Sequence, residues 1–160
     1  MEKETKKKVD EKKAVIDKNS YIDPKYPYFK LFHGVIELLK LLKKNKYNIA
    51  LASSSQRSHI DIVLKNNKIA GMFDFVISGL DVKFSKPNPE IFQKCAERFK
   101  SEPYECVVIE DAMNGVIAAK RAGMHCIAIL SSTKKELLGE ADILIDSIKE
   151  INISLIKDFD

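Results

Sequence analysis

Two adjacent carboxylates, Glu110 and Asp111, close the apolar run Val107-Val108-Ile109. At the end of a buried strand such a pair has no packing purpose, and its members repel each other unless a cation lies beside them. Magnesium suits them, since it prefers oxygen ligands and takes only a few from protein. Upstream, Lys86-Pro87-Asn88-Pro89-Glu90 sets a lysine before two prolines and an acid. The prolines fix how the chain enters the following helix, so the ammonium is aimed, and an aimed ammonium stabilises negative charge that develops during a reaction. Farther upstream, Ser53-Ser54-Ser55 follows Ile49-Ala50-Leu51-Ala52. There a hydroxyl and the free amides of a helix start could hold an oxyanion, although serine is also a common helix cap.

These residues need a scaffold that brings strand ends together. After Gly34 the apolar set Val35, Leu38, Leu39, Leu41 and Leu42 recurs at helical spacing and stops in Lys43-Lys44-Asn45, as suits a helix C-terminus. A strand over 47–52 follows, then helix near 56–67, strand near 74–78, helix near 88–99, strand near 105–109, helix near 113–122 and strand near 125–130. A last strand over 143–145 and a helix after Ser147 complete the series. Short strands alternating with helices predict an α/β fold, a Rossmann-like parallel sheet covered on both faces, in which ligands sit at the carboxyl ends of the strands. Asn114-Gly115 reads as a tight turn after the paired acids, and Gly123 as a left-handed helix end.

The 160 residues suffice for one core, and 45% hydrophobic with 31% charged residues marks a water-soluble chain. The formal charge of +4 concentrates in the Lys-rich start, without a basic stripe interleaved with aromatics, which argues against a nucleic-acid partner. No apolar run reaches membrane-spanning length and none follows the opening residues as a signal segment would, so a cytoplasmic location is expected. Cys95, Cys106 and Cys126 lie among apolar neighbours and read as buried reduced thiols. Residues 1–19 read as a mixed-charge solvated segment, and residues 20–32, with Tyr21, Tyr26, Tyr28, Phe29 and Phe32, as an irregular connector whose rings pack.

Taken in order, Ile49-Ala50-Leu51-Ala52-Ser53, Lys86-Pro87-x-Pro89-Glu90, and Val108-Ile109-Glu110-Asp111 with x-Asn-Gly and Ala-Gly-Met resemble the second, third and fourth motifs of the haloacid dehalogenase-like superfamily. The nearest subgroup is similar to β-phosphoglucomutase and its phosphatase relatives, and the likeness spans 33–146. The resemblance implies that Ser53 donates a hydrogen bond to a transferring phosphoryl group, that Lys86 is its charge partner, and that Glu110 and Asp111 hold Mg2+. It also makes Ser54, Ser55, Gln56, Arg57 and Asn114 candidate phosphate contacts. The implied partner is a small phosphorylated metabolite, with sugar phosphates leading.

Members of that superfamily begin with an apolar strand ending in Asp-x-Asp, whose first aspartate attacks phosphorus. No such strand precedes residue 33, and Asp158-Phe159-Asp160 has no loop or helix after it. The reading is therefore a core over 33–160 that lacks its first, central strand, preceded over 1–32 by a charged segment and the remnant of a helical cap. Such a chain is expected to be a truncated form, inactive alone and dependent on an upstream segment or a second chain to complete the sheet. The alternative is a non-catalytic domain that binds phosphate or protein. A receiver-type signalling domain is excluded by order, because there the acids precede the Lys-Pro. His33, His59 and His125 show no metal-ligand spacing, and the serine run lacks a Gly-x-Ser-x-Gly elbow.

Overall fold

The strands carry so few polar residues that both of their faces must be covered, and the chain meets this demand with helices on either side of a parallel sheet. The computed structural model describes residues 13–16, 31–131 and 133–159. In chain order the strands are β1 (Lys13–Ile16), β2 (Asn48–Ala52), β3 (Phe75–Ile77), β4 (Cys106–Glu110), β5 (His125–Ile129) and β6 (Ile143–Ile145). The helices are α1 (Val35–Lys44), α2 (Arg57–Asn66), α3 (Glu90–Phe99), α4 (Met113–Arg121) and the short α5 (Ile153–Lys157). The sheet order is β3-β2-β1-β4-β5-β6, with every pair parallel.

Side chains alternate across this sheet with period two. Ile49, Leu51, Val107, Ile109, Ile127 and Ile129 pack toward Leu38, Leu39, Leu42, Ile60 and Leu64 of α1 and α2. The intervening Ala50, Ala52, Val108, Cys126 and Ala128 are smaller and meet Phe92, Cys95 and Ala96 of α3 and Val116, Ala118 and Ala119 of α4. Small residues on this second face let α3 and α4 lie close to the sheet, and Phe92 fills the space between. All three cysteines are free and buried, and burial pushes the Cys95 and Cys126 thiols up to about 12.

Helices α1, α2 and α3 are each followed by a lysine in the left-handed region, Lys46 at φ 61°, Lys68 at φ 56° and Lys100 at φ 54°. Each turns the chain toward the amino end of the next strand. Glycine takes the same geometry at Gly123, φ 75°, as expected for the end of α4. Asn114-Gly115, by contrast, is not a turn; it lies in the first turn of α4.

The α/β parallel architecture expected from the sequence is the one observed, but the expectation of an absent central strand is corrected. Lys13–Ile16 pairs with β2 on one side and β4 on the other, Ala14 facing Ile49 and Val107, and Ile16 facing Leu51 and Ile109. The reason it escapes a reading by pattern is its brevity. Lys-Ala-Val-Ile is a single apolar step inside a lysine-rich stretch, and a central strand held from both sides needs no amphipathic alternation to announce it. Its inner neighbours therefore find their partners within this chain, and no second chain is required to satisfy them. Residues 1–12 and 17–30, on which the solvated-segment, aromatic-connector and cap-remnant readings mostly fall, lie outside the described residues.

Candidate active site

The carboxyl ends of β2, β1 and β4 are neighbours, which is where the sequence set its polar residues. Lys86 arrives there from the loop between β3 and α3. Glu90, in the first turn of α3, holds that loop: its carboxylate accepts hydrogen bonds from the backbone amides of Lys83 at 3.0 Å and Phe84 at 3.1 Å. Lys94, one turn on, pairs with Glu90 at 3.3 Å and donates to the carbonyl of Asp81 at 2.6 Å. The amide of Lys83 above all, and that of Phe84 with the Lys94 ammonium, hold the Glu90 carboxyl below its ordinary range. Ahead of the helix, the side chain of Asn88 accepts from the Glu90 amide at 3.0 Å. The Lys86–Pro87 peptide is cis.

So guided, Lys86 turns inward and is only 8% exposed. Its Nζ donates to Glu110 Oε1 at 3.0 Å and to the carbonyl of Ala52 at 3.3 Å, and lies 4.7 Å from the centre of the Phe92 ring. Burial pushes its ammonium below the ordinary lysine value, and the Glu110 charge pulls it partly back.

Glu110 is the last residue of β4 and fully buried. While Oε1 meets Lys86, Oε2 accepts from the amides of Asp111 at 2.9 Å and Ala112 at 3.0 Å. Asp111 is half-buried. Its carbonyl accepts from Thr133 Oγ1 at 2.8 Å, and its Oδ2 accepts from Ser131 Oγ at 3.4 Å. Ser131 and Thr133 follow β5 and were not singled out in the sequence. The signal available was hydroxyls just past a strand end, the same one that picked out Ser53.

Ser53 is 1% exposed, its Oγ accepting from the Ser55 amide at 3.2 Å and its own amide donating to Ile77 at 3.1 Å. The Ser55 carbonyl accepts from the Gly79 amide at 3.1 Å, and Gly79 is pressed so closely on the Ser54 carbonyl that no Cβ would fit. Ser53, Glu110 and Asp111 line one cavity, whose remaining wall includes Leu51, Ile109 and Ile129. The structure thus brings Ser53, Lys86, Glu110 and Asp111 to one end of the sheet. Ser54, Gln56, Arg57 and Asn114 are exposed around it. Arg57 is bound to the Asp61 carboxylate at 2.9 Å and the Val76 carbonyl at 3.3 Å, so it does not reach into the site.

Among the described residues no three His, Cys, Asp or Glu side chains form a metal cage. The donors on offer are the hard carboxylate oxygens at the end of β4. That is a sparse set, but it fits an ion that keeps much of its water and takes one or two carboxylates from protein.

Known proteins resemble this chain over most of its length. The chain is 30% identical over 128 residues to validoxylamine A 7'-phosphate phosphatase of Streptomyces hygroscopicus subsp. limoneus, covering 80% of this chain and 60% of that one. Its fold is similar to that of β-phosphoglucomutase from Clostridium difficile, with TM-score 0.72 and 29% identity over 81% of this chain and 56% of that one. It is also similar to CbbY from Rhodobacter sphaeroides in complex with phosphate, with TM-score 0.75 and 26% identity over 79% of this chain and 59% of that one. The chain therefore spans no more than 60% of the length of these relatives. The family model described as haloacid dehalogenase-like hydrolase matches residues 1–129, a stretch running from before the central strand to the end of β5. By that match, and by the Ser53, Lys86 and Glu110-Asp111 constellation it encloses, this chain belongs to the haloacid dehalogenase-like hydrolase family.

Proposed function

We propose that this chain is a Mg2+-dependent phosphoryl-transfer domain acting on a small phosphorylated metabolite, with sugar phosphates the leading class. The observation that carries the reading is the Lys86 ammonium, buried between the Ala52 carbonyl and Glu110 at the strand end where the buried Ser53 also stands. A fixed cation and a fixed hydroxyl in a site shielded from water stabilise the charge that builds on a transferring phosphoryl group. The relatives support the substrate class, since one is named for a phosphate ester, one for a phosphosugar and one was solved with phosphate.

In this reading Ser53 donates to a phosphoryl oxygen, Lys86 balances its charge, and the Glu110-Asp111 end of β4 is where Mg2+ is held. When bound, the ion neutralises phosphate charge. Ser54, Ser55, Gln56 and Asn114 are outer phosphate contacts. With β1 in the sheet, the residue that follows Ile16 in the sequence is Asp17, outside the described residues, and it is the carboxylate to test as the attacking group. Asn19 stands two residues on, where an acid–base aspartate is expected from the resemblance, so turnover is slower by about 10²- to 10⁴-fold than with a carboxylate there. The amide at 19 favours one second reading, a domain that binds phosphate without turning it over. The charge and composition accord with a cytoplasmic setting.

The test is release of phosphate from p-nitrophenyl phosphate and hexose phosphates by the 160-residue chain, with and without Mg2+. Slow Mg2+-dependent release that D17N and K86A both abolish is the expected result. Phosphate binding without any release would establish the non-catalytic reading, and neither binding nor release would refute both.

A further inference from the structure

On the α1 and α2 side of the sheet, beneath the strand ends, the described residues border a cavity of about 60 Å3. Its wall includes Leu51, Ile109 and Ile129 of the sheet and Ile60, Val63 and Leu64 of α2, all buried. Its polar end is made by Ser53, Glu110 and Asp111. Ser53 continues the alternation of Ile49 and Leu51, and Asp111 that of Val107 and Ile109, so the cavity descends from these two residues into the core. Lys86 lies across the sheet from it, against Phe92. We propose that this cavity is a subsite for a short aliphatic arm that ends in a hydroxyl group, and that the phosphate esters handled at these strand ends carry such an arm. The ester rests on the preceding reading, whereas the arm stands on the cavity alone.

The chemistry of the walls selects the ligand. Protein interiors are close-packed, and a void lowers stability in proportion to its volume. One that is apolar along its length and polar at the end nearest the reactive residues has the character of a ligand site. An anionic head at that end would meet two carboxylates and be repelled. A hydroxyl suits it, donating to Asp111 and accepting from Ser53, whose own hydroxyl can do both. The apolar wall offers no partner to a second hydroxyl, and burying one unpaired costs more than its carbon gains. On a sugar phosphate, the arm that enters is therefore a deoxygenated carbon or an alkyl substituent. Size limits it as well: the volume is less than half the roughly 150 Å3 of an apolar cavity that holds benzene, so there is room for about three carbons and not for a ring.

Simple alcohols test the subsite without any phosphoryl chemistry. The 160-residue chain, with 13C-labelled Ile, Leu and Val methyl groups, is titrated with methanol, ethanol, 1-propanol, 1-butanol and 1-pentanol and followed by NMR. Shifts should concentrate at Ile60, Val63 and Ile129, with affinity rising about fourfold per carbon up to propanol and then levelling. I129V, which removes one methylene from the wall, should move the plateau to butanol, and V63L, which adds one, should move it back to ethanol. Both changes are conservative enough to keep the fold, and opposite movements are not expected from general loosening. No shifts at these methyls, shifts scattered over the molecule, or a plateau that ignores both variants would overturn the subsite. Nuclear Overhauser contacts from these methyls to a tyrosine or phenylalanine ring of residues 21–29 would assign the space to the chain itself and overturn it too.

A second arm compares turnover of methyl and propyl phosphate in the presence of Mg2+. Propyl phosphate should have the higher kcat/KM by about tenfold. Equal values would overturn the assignment of the arm to the substrate. If neither these esters nor p-nitrophenyl phosphate is turned over, the phosphoryl-transfer reading fails and takes the ester with it, while the alcohol titration still decides whether the cavity binds an aliphatic arm.

Discussion

At the scale of single residues, the strongest constraint is the Lys86–Glu110 pair. Truncating Lys86 to alanine leaves a buried carboxylate that two amides alone must satisfy, and K86A should cost about 3–5 kcal/mol in urea unfolding. Replacing both members together, as K86M with E110Q, should cost less than the sum of the two single changes. The residues that meet here were legible in the sequence because their types are improbable where they stand: an acid pair ending an apolar strand, and a lysine trapped before two prolines. Thr133 and Ser131 were not legible, since a hydroxyl in a loop after a strand is common and only geometry shows which carbonyl and carboxylate it reaches. Gly115 was noticed for the wrong reason, as a turn former, when its role is to leave room for a carboxylate five positions earlier.

At the scale of elements, β1 shows where pattern fails. The other five strands were visible as apolar runs between helices, with bounds within a residue or so of those observed. Four residues that begin with a lysine and lie between Lys12 and Asp17 gave no such contrast, although strand pairing makes them the axis of the sheet. Val15 faces Ala50 on one side and Val108 on the other. A proline there would remove a ladder donor and force its ring between two buried strands, so V15P should abolish cooperative folding, as judged by circular dichroism and thermal melts. The loop that delivers Lys86 depends on Glu90 in a different way. Because the folded pKa of Glu90 is lowered, its hold on the loop is complete above the ordinary glutamate value of about 4.3 and is lost as pH falls through the lowered value. Hydrogen exchange at the Lys83 and Phe84 amides, corrected for intrinsic rates, should therefore rise relative to α3 between pH 6 and pH 3, and E90A should show that rise already at pH 6.

At the scale of the whole molecule, the chemistry and the backbone strain lie at opposite ends of one sheet. Ser53, Lys86, Glu110 and Asp111 gather at the carboxyl ends of the strands, whereas Lys46, Lys68 and Lys100 bend the chain into their amino ends. A lysine in left-handed geometry gives up roughly 1 kcal/mol relative to a residue without a Cβ. K46G, K68G and K100G should each raise Tm by a few degrees, and their gains should add because the three positions share no partner. The molecule thus holds an untapped margin of robustness remote from its reactive pocket. A hardened triple variant would be the natural background in which to make the damaging substitutions at Lys86 and Gly115, since it could absorb their cost and still present a folded site to measure.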